Sequence, residues 1–181
     1  AAGGSGVTQE FVADGGVISI SGYAVDDPIQ SFPVARLGPK GLAIKNIQAN
    51  EAKTVSATFT DLTTGGRLVL STPQIAYPMT LSSAASAESY LDIVGGKVQL
   101  ASGANHNSFI TVTNGAVFSL AGNATAATLR GLKLGDATSS GTLELDTNDV
   151  VPLSGPFDIA NGTVTYSSNL GEGAHTVFAM T

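Results

Sequence analysis

The residues best able to do chemistry are few and far apart. Asp26 and Asp27 stand together in "AVDDPIQ". Paired carboxylates serve as general acid and base in sugar hydrolysis. Polysaccharide hydrolases built on clustered aspartates also need a third carboxylate and a basic residue for the sugar acid. Neither lies within reach here, and Pro28 makes the pair read as a turn. Asp146 and Asp149 in "LDTNDVVP" alternate oxygen donors as a calcium loop does, but the mid-loop Gly and distal Glu of an EF-hand are missing. That stretch reads as a solvated turn. His106 and His175 are the two histidines. No G-x-S-x-G frames a serine for either of them, and two histidines alone make a poor zinc site. The alternating hydroxyls Thr54, Ser56, Thr58 and Thr60 would order water only if neighbouring strands repeated them in register. "ITVTN" and "GTVTYS" offer just two-Thr fragments, so the row reads as outward strand threonine. Asn123 and Asn161 open formal glycosylation sequons, a short pattern that carries no weight by itself. The expectation is no catalytic residue, no metal and no cofactor.

Composition narrows the class. Hydrophobic residues reach 43%, yet aromatics are 6% and there is no Trp, so the core must be aliphatic. Charged residues are only 12%, and the surface must be Ser, Thr, Asn and Gly. The net charge is −6 and the eight Lys and Arg are scattered singly, whereas nucleic-acid binding calls for a clustered basic face. There are no cysteines, which removes disulfides and thiol chemistry. No apolar run is long enough for a membrane helix, so this segment is not expected to be membrane-embedded. "AAGGSG" reads as a flexible or processed start. "AHTVFAMT" reads as a strand cut at Thr181, which suggests a piece of a longer chain.

Short alternating strands dominate. "VISISGYAV", "LAIKNIQA", "KTVSATFTDL", "GRLVLS", "YLDIV", "KVQL", "FITV", "AVFSL", "LKL", "TLELD", "FDIANGTVTYS" and "HTVFAM" all carry strand signals. "SSAASAESYL" is the one weak helix candidate, and it reads equally as a loop. A pattern of Gly, any residue, aliphatic, any residue, aliphatic opens at Gly66, Gly96, Gly141 and Gly162, with a looser copy at Gly115 and a short one at Gly131. Several of the spacings lie near ~20 residues, about one turn of a solenoid, and the short step from Gly131 to Gly141 reads as two strands within one turn. A short strand with one apolar face cannot bury that face alone, but a stack of similar turns closes an aliphatic column. The glycines Gly66, Gly96, Gly115, Gly141 and Gly162 are the expected corners. The predicted fold is all-β, a parallel β-helix. The competing fold is an antiparallel β-sandwich, in which Asn114-Gly115 and Asn161-Gly162 would be hairpin turns. The chain reads as a single segment over 1–181, more irregular over 1–90, where capping coils would protect an exposed edge, and regular over 91–181.

The second half resembles the autotransporter-associated β-strand repeats of bacterial surface proteins. The elements that match are the Gly-led strand at Gly96, a polar turn, "TVTNGAVFSLAGN" and the closing "GTLELD"; "GEGAHTVFAMT" is similar to the strand that often follows such repeats. The resemblance spans about residues 91–181. It implies a right-handed parallel β-helix, export to the bacterial cell surface or beyond it, and a membrane barrel further along the gene. The function expected from it is a non-catalytic stalk or adhesin segment, with a host or cell-surface glycan or protein, or a second copy, as partner. A polysaccharide-degrading β-helix and a carbohydrate-binding β-sandwich module are the alternatives.

Overall fold

The structure, a computed structural model, describes residues 10–20, 29–61, 65–81, 89–101, 108–120, 129–146, 150–166 and 177–180. The chain moves back and forth between two sheets. It enters through β1 (Glu10–Ala13), β2 (Val17–Ile20), β3 (Ile29–Leu37), β4 (Leu42–Asn46), β5 (Lys53–Asp61) and β6 (Arg67–Ser71). It continues through β7 (Met79–Leu81), β8 (Tyr90–Ile93), β9 (Lys97–Leu100), β10 (Phe109–Val112), β11 (Ala116–Ser119) and β12 (Gly131–Leu134). It closes with β13 (Gly141–Leu145), β14 (Val150–Leu153), β15 (Phe157–Ile159), β16 (Gly162–Tyr166) and β17 (Val177–Met180).

One sheet has eight strands in the order β1-β3-β5-β7-β9-β11-β13-β16, and the second has seven in the order β15-β12-β10-β8-β6-β4-β2. Every pairing between these strands is parallel. A parallel partner one full turn later in sequence defines a β-solenoid. The sandwich alternative falls, because its hairpins would pair neighbours antiparallel. Asn161-Gly162 joins β15 to β16, and these lie in different sheets. Both sheets run on through residue 90 without a break, linking β6 to β8 and β7 to β9. A register slip falls between β3 and β5, on both sides of Phe32↔Ala57. At the far end a third face begins, where β14 pairs with β17 and Leu129 bridges to Leu153.

The core follows from period-2 alternation. On the seven-stranded sheet, Leu68, Leu91, Ile110 and Leu132 occupy one register position on successive strands. Leu70, Ile93, Val112 and Leu134 occupy another. All eight are buried. Met79, Val98, Phe118 and Leu143 form the matching column on the eight-stranded sheet. Each such apolar side chain contributes about 1.5–3 kcal/mol by leaving water. Lys53 ends that column beside Met79, buried and ion-paired with Glu51 at 2.6 Å. Asn46, also buried, ties the intervening corner by donating to the Glu51 carbonyl and accepting from Gln48 N.

The expected corner glycines divide by mechanism. Gly96 and Gly115 sit at φ 63° and 72°, in the left-handed region open to glycine at little cost. At Gly115 the turn is closed by Ala116 N donating to Thr113 O, with Asn114 at φ 57°. This is hairpin-type turn chemistry used to pass from one sheet to the other. Gly141 has no positive φ, but a Cβ there would run into the carbonyl oxygen of Val112. Gly162 likewise lacks room against the Leu134 side chain, and Gly66 is the buried residue that leads into β6.

Candidate functional site

With the cores facing each other, function falls to the outward faces. On the seven-stranded sheet, Arg67, Tyr90, Phe109 and Gly131 share one register position on β6, β8, β10 and β12. Leu68, Leu91, Ile110 and Leu132 point inward next to them, so this row points out. Stacking at strand spacing brings the side chains together. The Arg67 guanidinium lies 5.0 Å from the centre of the Tyr90 ring and donates to Asp92, one row along. The Tyr90 and Phe109 ring centres are 6.1 Å apart, with the planes tilted by 51°. A Cβ at Gly131 would come within 2.6 Å of the Phe109 ring, so the glycine opens the space into which that ring lies.

Arg130 completes the strip. Its backbone N–H donates to the Ser108 carbonyl, and its Nη2 reaches back to donate to the Ser89 carbonyl at 3.0 Å. The guanidinium also sits 5.0 Å from the Tyr90 ring centre. Two cations against one ring is a cation–π arrangement worth about 0.5–1 kcal/mol each at exposed sites. The Arg130 Nε is buried and has no hydrogen-bond partner among the described residues. The next outward row carries Asp92, Thr111, Lys133 and Asp158 in register, with Lys133 and Asp158 3.9 Å apart.

The outward face of the eight-stranded sheet is built differently. Thr80, Gln99, Ser119 and Glu144 align on successive strands. Gln99 Nε2 donates to Thr80 Oγ1 at 2.9 Å, and Ser119 Oγ donates to Glu144 Oε1 at 2.9 Å. Lys97 Nζ reaches across β11 to the same Glu144 oxygen at 2.6 Å. This pair covers β11, whose four residues are all buried. Elsewhere, Asp136 organises the turn before β13. Its Oδ1 accepts from Thr138 N, Thr138 Oγ1 and Ser139 N. Those bonds, the Thr138 backbone N–H first, hold its carboxyl down at about 2.

Most of the residues picked out for chemistry in the sequence fall where the structure gives no description. Asp26, Asp27, His106, Asn123, Asp149 and His175 lie outside the described residues, as does most of the helix candidate, over 82–88. The candidate's last residues, Tyr90 and Leu91, begin β8. Asp146 follows β13, and Asn161 is exposed at the corner before β16. In the hydroxyl row, Thr54 has Thr80 as its register partner, but the ladder then continues with Gln99 and Ser119. Among the described residues no three His, Cys, Asp or Glu side chains gather as metal ligands, and no helix is long and apolar enough to cross a membrane. The arginine–aromatic strip escaped sequence reasoning. Its signal is the first outward letter of "RLVL", "YLDI", "FITV" and "GLKL", which lines up only once the turns are in register.

The fold and its faces define a parallel β-solenoid. Comparison with protein-family models, with curated proteins and with solved structures finds no match to this chain.

Proposed function

We propose that this chain is a non-catalytic segment of an exported bacterial surface protein, a β-helical stalk or adhesin that acts through its long outward faces. The observation that carries the reading is the stack itself. The same two strands recur turn after turn, their inward residues buried as aliphatic columns and their outward residues arranged as polar and aromatic rows along the axis. Such a scaffold suits many weak contacts along a line better than one deep site. The resemblance of residues 91–181 to autotransporter-associated repeats supports export.

The polysaccharide-hydrolase alternative is less well served by the carboxylates among the described residues. Asp92 and Asp158 are three strand steps apart on one face, roughly 14 Å between backbones at the usual strand spacing. Glycosidase pairs work at about 5–9.5 Å. Glu144 faces the other way, bound by Lys97 and Ser119. Reading the gene on both sides of these codons tests the proposal. More glycine-led strands, followed by the alternating segments of about ten residues that build a membrane barrel, would support it. A stop codon with neither would overturn the surface-passenger reading.

A further inference from the structure

We infer that the strip formed by Arg67, Tyr90, Phe109 and Arg130, with Lys133 beside it, is a binding site for an acidic polysaccharide, one whose sugars carry carboxylate or sulfate groups. The inference rests on the adhesin reading and names the ligand class for one face.

Among the described residues, the outward side of the seven-stranded sheet carries more cations than carboxylates. The chain as a whole is at −6. Yet Lys45, Arg67, Arg130 and Lys133 all stand on the outward side of the seven-stranded sheet, against two carboxylates among the described residues, Asp92 and Asp158. Arg67 is paired with Asp92, and Lys133 lies beside Asp158. No described residue gives Arg130 a carboxylate. It is held by a backbone carbonyl and a ring, and its Nε is buried, so what it can offer a ligand is the outer edge of the guanidinium. A guanidinium fixed in this way is preorganised for an oxyanion.

The geometry selects among polyanions. The strands' backbone groups are used in the sheet ladders on both sides, so a peptide cannot add as a further strand on this face. Nucleic acid calls for dense positive charge along the site, whereas here each cation row alternates with an acceptor or a ring. A glycan acid has sparse charge, many hydroxyls and apolar C–H faces. Along the axis Arg67, Tyr90 and Phe109 offer a guanidinium or a ring at three successive strand steps of about 4.8 Å, close to the advance of one pyranose in an extended chain. Asp92, Thr111 and Asp158 in the neighbouring row are in place to accept from sugar hydroxyls.

The test uses the 181-residue chain, with polygalacturonate and heparin as probes and dextran, poly-glutamate and single-stranded DNA as comparisons, by isothermal titration at two salt concentrations. At least one acidic glycan is expected to bind saturably and to weaken with salt. Arg130→Gln should weaken it about tenfold or more, the loss of one charge-assisted partner. Lys97→Gln, on the opposite face, should leave binding unchanged. Lys133→Glu, at a half-buried position, should weaken binding as well and keeps the test open if the Arg130 variant fails to fold. Absence of saturable binding to both acidic glycans, dextran binding as tightly, poly-glutamate or DNA binding as tightly, or indifference to both strip variants would each overturn the inference. None of these outcomes bears on what lies beside this segment in the gene, so the adhesin reading stands or falls separately.

Discussion

Two corner glycines with the same backbone twist should respond very differently to one added methyl group. Gly115 has φ 72° and open space where a Cβ would stand, so Gly115→Ala costs only the left-handed strain. That strain is about 1–2 kcal/mol for a residue with a Cβ. Gly96 has φ 63°, and its Cβ would come within 2.5 Å of the Thr72 carbonyl oxygen and closer still to Thr72 Oγ1. Rotating the Thr72 side chain would clear the hydroxyl at the expense of its bond from Lys97 N, but would not clear the carbonyl. Overpacking of this kind costs about 1–3 kcal/mol more, which puts Gly96→Ala at about 2–5 kcal/mol in total. Urea denaturation followed by far-UV circular dichroism, with m unchanged, measures both. For a chain this size each kcal/mol lowers Tm by about 2–4 °C. Gly115→Asn should recover most of the loss, as Asn114 already tolerates φ 57° next door. If Gly96→Ala and Gly115→Ala agree within about 0.5 kcal/mol, the close approach of Thr72 to the next corner is wrong.

Phe118 is fully buried between Val98 and Leu143, and Phe118→Ala should cost about 3–5 kcal/mol by the same denaturation assay; a loss under about 1 kcal/mol would mean the column is not packed there. Asp136 should titrate by carbon-13 NMR with its midpoint near 2, not at its ordinary value of 3.8. Because its folded pKa is depressed, the stability it lends is complete above the unfolded value and lost as pH falls through about 2; a midpoint at the ordinary value would remove the turn contacts from the account. A double-mutant cycle on Lys97→Ala and Glu144→Gln should give a coupling of about 0.5–1 kcal/mol, and zero coupling would show that the pair does not bridge β9 to β13.

Strands built on alternation were legible in the sequence, because one buried face is enough to declare them. "KVQL", "FITV" and "TLELD" match β9, β10 and β13 closely. The strands that escaped are β1, β3, β7 and β14, and three of them contain or adjoin a proline. Pro33 lies inside β3, where the pairing with β5 slips, Pro78 precedes β7, and Pro152 lies inside β14. A residue with no N–H reads as a strand breaker, but the stack accommodates it at a slip or in the short third sheet. "FDIANGTVTYS", read as one strand, is two, because its Asn-Gly turns the chain from one sheet into the other. The arginine–aromatic strip was illegible for a related reason. Arg67 and its partner Asp92 are 25 residues apart, and Arg130 and Ser89 are 41 apart. No local pattern joins them until each turn's length is known, and those lengths vary from 19 residues at Ser89–Ser108 to 27 at Val150–Val177.

That uneven turn length would leave a mark under tension. β1 and β16 lie at opposite edges of the same sheet, so a pull applied there draws the stack apart along its axis. The ladder between the outermost turn and its neighbour then opens before the next one is loaded. Each turn released adds its own contour, about 65–90 Å for turns of 19 to 27 residues. An optical-tweezers trace should therefore read as a staircase of unequal steps, in which the order of step sizes reports the order of turns along the chain.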